Sequence, residues 1–149
     1  SGSDLIRQRF EKLRQQVLCQ KREKNKLAED ISQMRVKMNQ EYKNRGALNI
    51  KSQPYGLIDV EFVSQYIVLA FANHHPELTE VRSVYQVLLK AYQHKLLSKA
   101  AFDTILEYFD SINLKICQHE LLIIQHQLEP LTPPASFKHQ MEKWKLNFS

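Results

Sequence analysis

Asp59 and Glu61 stand two residues apart in a stretch, 57–72, that is otherwise almost wholly apolar, with Lys51, Pro54 and Gly56 just upstream. On a helix, carboxylates two apart point roughly 200° away from each other around the axis, so they do not hold one metal ion together. Acids in the opening turns meet the positive end of the helix dipole, which offsets part of the cost of drying them. Two readings stay open. Either they are helix-start charges that pair with Lys51 or an arginine of the preceding helix, or they face a second domain or a nucleotide-bound metal.

The remaining reactive side chains are scattered. His74 and His75 are adjacent in a turn, where their rings diverge, and His119 and His126 are seven apart. Neither spacing is that of a catalytic zinc site, so no metal is expected. Cys19 and Cys117 are distant thiols with no paired spacing, which argues against both a zinc site and a disulfide framework. Ser64 and Ser98 have no nucleophile-elbow context. Three glycines do not make a phosphate-binding loop. Nucleotidyl transfer uses clustered carboxylates to hold Mg²⁺ against a triphosphate, and no strand pattern here carries such a cluster. No catalytic residue is therefore expected within the chain, and alone it should be inactive.

Helices must position whatever site exists. In 149 residues with only three glycines and five prolines, long uninterrupted runs dominate. Ile6, Phe10, Leu13 and Val17 trace one apolar stripe, and Leu27, Ile31, Met34 and Met38 another, with Asn25 as an N-cap. Together they predict a helical hairpin over 4–42. Residues 43–55 read as a loop. The segment 57–72 is apolar all round, as a helix enclosed by neighbours must be. Helices are expected over 80–93, capped by Thr79, and over 99–127, capped by Ser98. A terminal helix is expected over 133–147, with Thr132 as N-cap and Pro133 at the first position. Residues 1–3, Ser-Gly-Ser, read as a tag remnant. The fold class is all-α: a single bundle of five or six helices around a buried central helix.

The formal charge of +5 comes from basic residues concentrated in the first third, among them Arg14, Arg22, Arg35 and Lys37. They are either the solvated faces of amphipathic helices or a docking surface for an anionic partner. No aromatic-interleaved motif accompanies them, which points away from nucleic acid. No run reaches the roughly 18 apolar residues of a membrane span. A soluble, cytoplasmic protein with reduced cysteines is expected.

Lys51, Gly56, Leu57, Asp59, Val60, Glu61, Phe62, Gln65 and Tyr66 resemble a K-x(n)-G-G-[LI]-x-D-[IV]-E-F-x-x-Q-Y signature. It belongs to the helical domain that follows the nucleotidyltransferase domain in the glutamine synthetase adenylyltransferase family. The resemblance extends upstream through Phe10, Leu13, Arg14, Val17, Leu18, Arg22-Glu23 and Met34-Arg35-Val36-Lys37-Met38, and downstream through His75-Pro76-Glu77-Leu78. The Q-Y continuation and the P-[EK]-L element are closer to the C-terminal, adenylylating half of the family's enzymes. Tyr55 stands where the signature has its first glycine, and Asn49 where an upstream element has an acid.

The resemblance implies transfer of AMP from ATP, with Mg²⁺, to a tyrosine of glutamine synthetase, modulated by glutamine and the PII signalling protein. It implies that Lys51, Gly56, Asp59 and Glu61 face the nucleotide and the catalytic palm of the chain's own nucleotidyltransferase domain. Arg14, Arg22, Arg35 and Lys37 then form a possible docking surface for partner proteins. The alternative is a non-catalytic interaction module that docks through its basic N-terminal hairpin.

Overall fold

The computed structural model describes residues 2–45, 50–122 and 130–149. Six α-helices follow one another: α1 (Gly2–Leu18), α2 (Lys24–Asn44), α3 (Leu57–Phe71), α4 (Val84–Gln93), α5 (Lys99–Leu122) and α6 (Ala135–Lys143). A short 3-10 turn, Pro76–Thr79, links α3 to α4, and no strand occurs among the described residues. The all-α bundle is as expected. Asn49, His126 and the predicted continuation of the fifth helix to 127 lie outside the described residues.

The nearly unbroken apolar sequence of α3 makes it the hub. Val60, Val63, Tyr66 and Ile67 are buried, and only Glu61 and Gln65 are exposed along it. Around it pack Ala28 and Ile31 of α2, Val87 and Leu88 of α4, and Ile105 and Ile112 of α5. The tail beyond α6 folds back over the hub. Trp144 lies 5.5 Å from the Tyr66 ring, and Phe148 lies 6.0 Å from Phe62.

Helix α1 departs from the expected hairpin. None of its residues is buried, and the stripe read as its inner face is open: Ile6, Phe10, Leu13 and Val17 are each more than half exposed, as is Leu5 beside them. The helix is instead held by polar contacts. Arg14 Nη1 donates to the Thr79 carbonyl at 2.9 Å, Glu11 pairs with Arg82, and Asn73 Nδ2 donates to the Cys19 carbonyl at 3.1 Å. Residues 11, 14 and 18 sit about 100° round the helix from 10, 13 and 17, which leaves the apolar stripe turned away from the bundle. In α2 the buried face is likewise shifted, to Ala28, Ile31 and Arg35, and Met34 is exposed.

Helix starts also differ in detail. Glu23, not Asn25, caps α2, its carboxylate accepting from the N–H groups of Asn25 and Lys26. Ser83 replaces Thr79 as the cap of α4, because the 3-10 turn occupies Thr79, whose hydroxyl donates to the Pro76 carbonyl. Pro134 precedes α6 where Thr132 was expected. Ser98 caps α5 as anticipated, accepting from the Ala101 N–H at 3.1 Å.

Candidate functional site

The approach to α3 is a tightly wound turn. The Gly56 N–H donates to the Gln53 carbonyl at 2.9 Å, and the Ile58 N–H to the Lys51 carbonyl at 3.2 Å. A Cβ on Gly56 would lie 2.6 Å from the Lys51 carbonyl oxygen and 2.8 Å from that of Gln53. Both are backbone atoms that cannot swing aside, so the second position of the glycine pair is glycine for want of space. The first position is governed by conformation instead. Tyr55 has φ 60°, the left-handed region that glycine enters at no steric cost and tyrosine does not. The Tyr108 hydroxyl of α5 donates to the Tyr55 carbonyl at 2.7 Å and pins the turn in that geometry.

Asp59 and Arg35 lock the turn from below. The Arg35 side chain is fully buried and that of Asp59 is 1% exposed. Arg35 Nε donates to Asp59 Oδ1, Nη1 to Asn39 Oδ1, and Nη2 to the Ser52 carbonyl at 3.1 Å. The other carboxylate oxygen, Oδ2, accepts the Tyr55 N–H at 2.5 Å. Asn39 passes the network on, its Nδ2 donating to the Phe148 carbonyl at 3.3 Å. Burial pushes the Asp59 carboxyl up from its ordinary value, while the Arg35 guanidinium and the Tyr55 N–H pull against that rise. A buried charge is tolerable only when paired and hydrogen-bonded in this way.

Of the two readings of Asp59, the inward one holds: it pairs with an arginine of the preceding helix. Its expected role on an outward face is corrected by its burial. Gly56 is buried as well, because the turn's carbonyls crowd it. Lys51 is half-buried, and Glu61, on the opposite side of α3 from Asp59, is exposed.

Of the expected docking residues, Arg35 alone is corrected by its burial. Arg14 is tied to the Thr79 carbonyl, and Arg22 folds onto the carbonyls of Val17, Leu18 and Gln20 at the end of α1. Lys37 is exposed. A cavity of about 420 Å³ opens between the turn and the tail, bordered by Tyr55, Lys138, Lys145 and Phe148, with Asp59 reaching its wall. The inward role of Arg35 had one sequence signal: it continues the 28, 31, 35 spacing of α2's buried face. Nothing local marked Asn39 or Tyr108.

No protein-family profile matches the chain. Individual proteins do. The chain is 35% identical over 104 residues to the bifunctional glutamine synthetase adenylyltransferase/adenylyl-removing enzyme of Acinetobacter baylyi, covering 66% of this chain and 11% of that protein. It is 31% identical over 135 residues to the enzyme of the same name from Idiomarina loihiensis, covering 86% of this chain and 14% of the relative. The corresponding protein of Mannheimia haemolytica is 31% identical over 123 residues, covering 81% of this chain and 13% of its own length. The chain thus spans only about one-eighth of the curated relatives it matches. The resemblance carried by Lys51 to Tyr66 is borne out across most of the chain.

Proposed function

From its kinship with one segment of the glutamine synthetase adenylyltransferases, we infer that this chain is a helical domain of such an enzyme. The whole enzyme transfers AMP from ATP, with Mg²⁺, to a tyrosine of glutamine synthetase. The segment is assigned to the adenylylating half, on the strength of Gln65-Tyr66 and the Pro76-Glu77-Leu78 element. Its task is support: it packs against the nucleotidyltransferase domain and helps seat the protein substrate.

The observation that carries the supporting role is α1. Five large apolar side chains, Leu5, Ile6, Phe10, Leu13 and Val17, stand in solvent on one helix face. A stripe of that kind is covered in the working protein, and the curated relatives are several times longer than this chain. ATP and Mg²⁺ are assigned to residues outside the chain. Asp59 spends its carboxylate on Arg35 and Tyr55, so the turn lacks the clustered carboxylates that a metal–triphosphate site requires. Lys51 and Glu61 remain as groups that border the palm.

Adenylylation of glutamine synthetase by a full-length enzyme carrying this segment tests the reading. Phe10→Glu with Leu13→Glu is expected to cut the rate at least tenfold, and Lys51→Ala with Glu61→Gln to raise the ATP KM. Unchanged rates and KM in both variants would remove the domain from the reaction.

The alternative, a plain interaction module, draws on the same exposed stripe. It predicts that the isolated chain binds glutamine synthetase or the PII protein tightly without any dependence on ATP. Of the basic residues read as its docking face, Arg35 is buried and Lys37 is exposed.

A further inference from the structure

Far from the 50–56 turn, the fold gathers three metal-ligating side chains that the sequence keeps apart. His75 immediately precedes the 3-10 turn, Glu77 lies within it, and His94 closes α4. Among the described residues, these three form the one group of three or more such side chains whose ligand atoms all lie within 4.8 Å of one another. His94 Nε2 is 3.9 Å from Glu77 Oε2, and the two imidazoles lie 4.5 Å apart, tilted by 38°.

We propose that His75, Glu77 and His94 form a binding site for a zinc-class divalent transition ion. Two imidazoles and one carboxylate are ligands that such ions favour, and three protein ligands leave a fourth tetrahedral position for water. Around an ion with bonds of about 2.1 Å, neighbouring ligand atoms stand roughly 3.4 Å apart. The most widely spaced ligand atoms must therefore draw together by up to roughly 1.4 Å.

The surroundings allow that movement. The backbone beneath is anchored: Leu78 is fully buried, the His75 N–H donates to the Phe71 carbonyl at 2.9 Å, and the His94 N–H to the Lys90 carbonyl at 2.9 Å. The ligand side chains themselves are half-buried or exposed, so they can rotate. Glu77 supplies negative charge to the site, while His74 and Lys24 are the other charged or titratable groups that act on His75. An ion here would clamp the 3-10 turn to the end of α4. That same turn offers the Thr79 carbonyl to Arg14, so the clamp would also steady the seat of α1.

The test is a titration of the 149-residue chain with ZnCl₂ in chelator-treated, non-coordinating buffer. Cys19 and Cys117 are changed to serine throughout, so that free thiols do not contribute. The expected result is one Zn²⁺ per chain, with NMR shifts of the imidazole signals of His75 and His94. Glu77→Gln changes an exposed side chain and so leaves the fold intact; it is expected to weaken binding at least tenfold, as is His94→Ala. His139→Ala, on the exposed side of α6, should leave the affinity unchanged. Absence of stoichiometric binding overturns the site. So does Zn²⁺ that binds equally well to the Glu77→Gln and His94→Ala proteins, or that moves other imidazole signals instead.

Discussion

Arg35 and Asp59 meet in the interior although they stand 24 residues apart on different helices, with the Arg35 side chain wholly dry and that of Asp59 1% exposed. The position of Asp59 explains why the 50–56 turn is shaped as it is. The carboxylate holds the Tyr55 N–H, the guanidinium holds the Ser52 carbonyl, and both depend on the pair being intact.

A double-mutant cycle reads this coupling. Asp59→Leu or Arg35→Met alone strands a charge in the core and is expected to cost about 3–5 kcal/mol by urea unfolding. The double variant should cost clearly less than the sum of the two, because the charge left behind disappears with its partner. Strictly additive losses would mean that the pair is not coupled.

The two positions of the glycine pair should answer differently to substitution. Gly56→Ala drives a methyl group into the carbonyls of Lys51 and Gln53 and is expected to cost about 2 kcal/mol or more. Tyr55→Gly releases a left-handed tyrosine, a gain of roughly 1 kcal/mol. It also gives up the packing of the ring beneath the Lys138 ammonium, 5.4 Å away. Its net effect on the unfolding midpoint should be small beside that of Gly56→Ala.

Alkaline pH should unfold the chain through its buried phenols. Burial, reinforced by Asp59, raises the Tyr108 hydroxyl well above its ordinary value, and burial also raises Tyr66. Above a pH of about 10 the unfolded chain releases phenolic protons that the folded chain still holds. The unfolded state then binds fewer protons, so stability falls as pH rises. Tyr108→Phe should flatten that fall, at the cost of about 1 kcal/mol at neutral pH for the lost bond to the Tyr55 carbonyl. Thermal melts from pH 8 to 11, with tyrosinate absorbance, measure both effects.

Apolar residues of α1 and α3 should separate sharply by mutation. Phe10→Ala removes a side chain that is 61% exposed and should change stability by no more than about 0.5 kcal/mol. Ile67→Ala empties a fully buried site at the hub and should cost about 2–5 kcal/mol. Equal losses at the two positions would mean that the α1 stripe is covered within the chain itself.

Periodicity revealed the helices and the enclosure of α3, since a segment apolar in every direction has only one stable place in a bundle. It misjudged α1 because a stripe such as Ile6, Phe10, Leu13 and Val17 states that a face needs covering, not what covers it. Charge patterning misjudged Arg35 for a related reason. An arginine on a polar helix looks solvated until the fold brings an acid and a carbonyl to meet it. The caps at Glu23 and Ser83 lie two and four residues from the expected positions, as local choices among several acceptors tend to be. The turn at 50–56 was legible as a turn, but its crowding at Gly56 and its backbone reversal at Tyr55 required the tertiary contacts with Tyr108 and Arg35.

The tail adds a last consequence. Because Phe148 lends its carbonyl to Asn39, and Asn39 steadies the guanidinium beneath the turn, α2 and the C-terminal tail are keyed together by one cation. Displacing α2 against α3 would leave the buried guanidinium without its Asp59 counter-charge, so slippage between these two helices is costly.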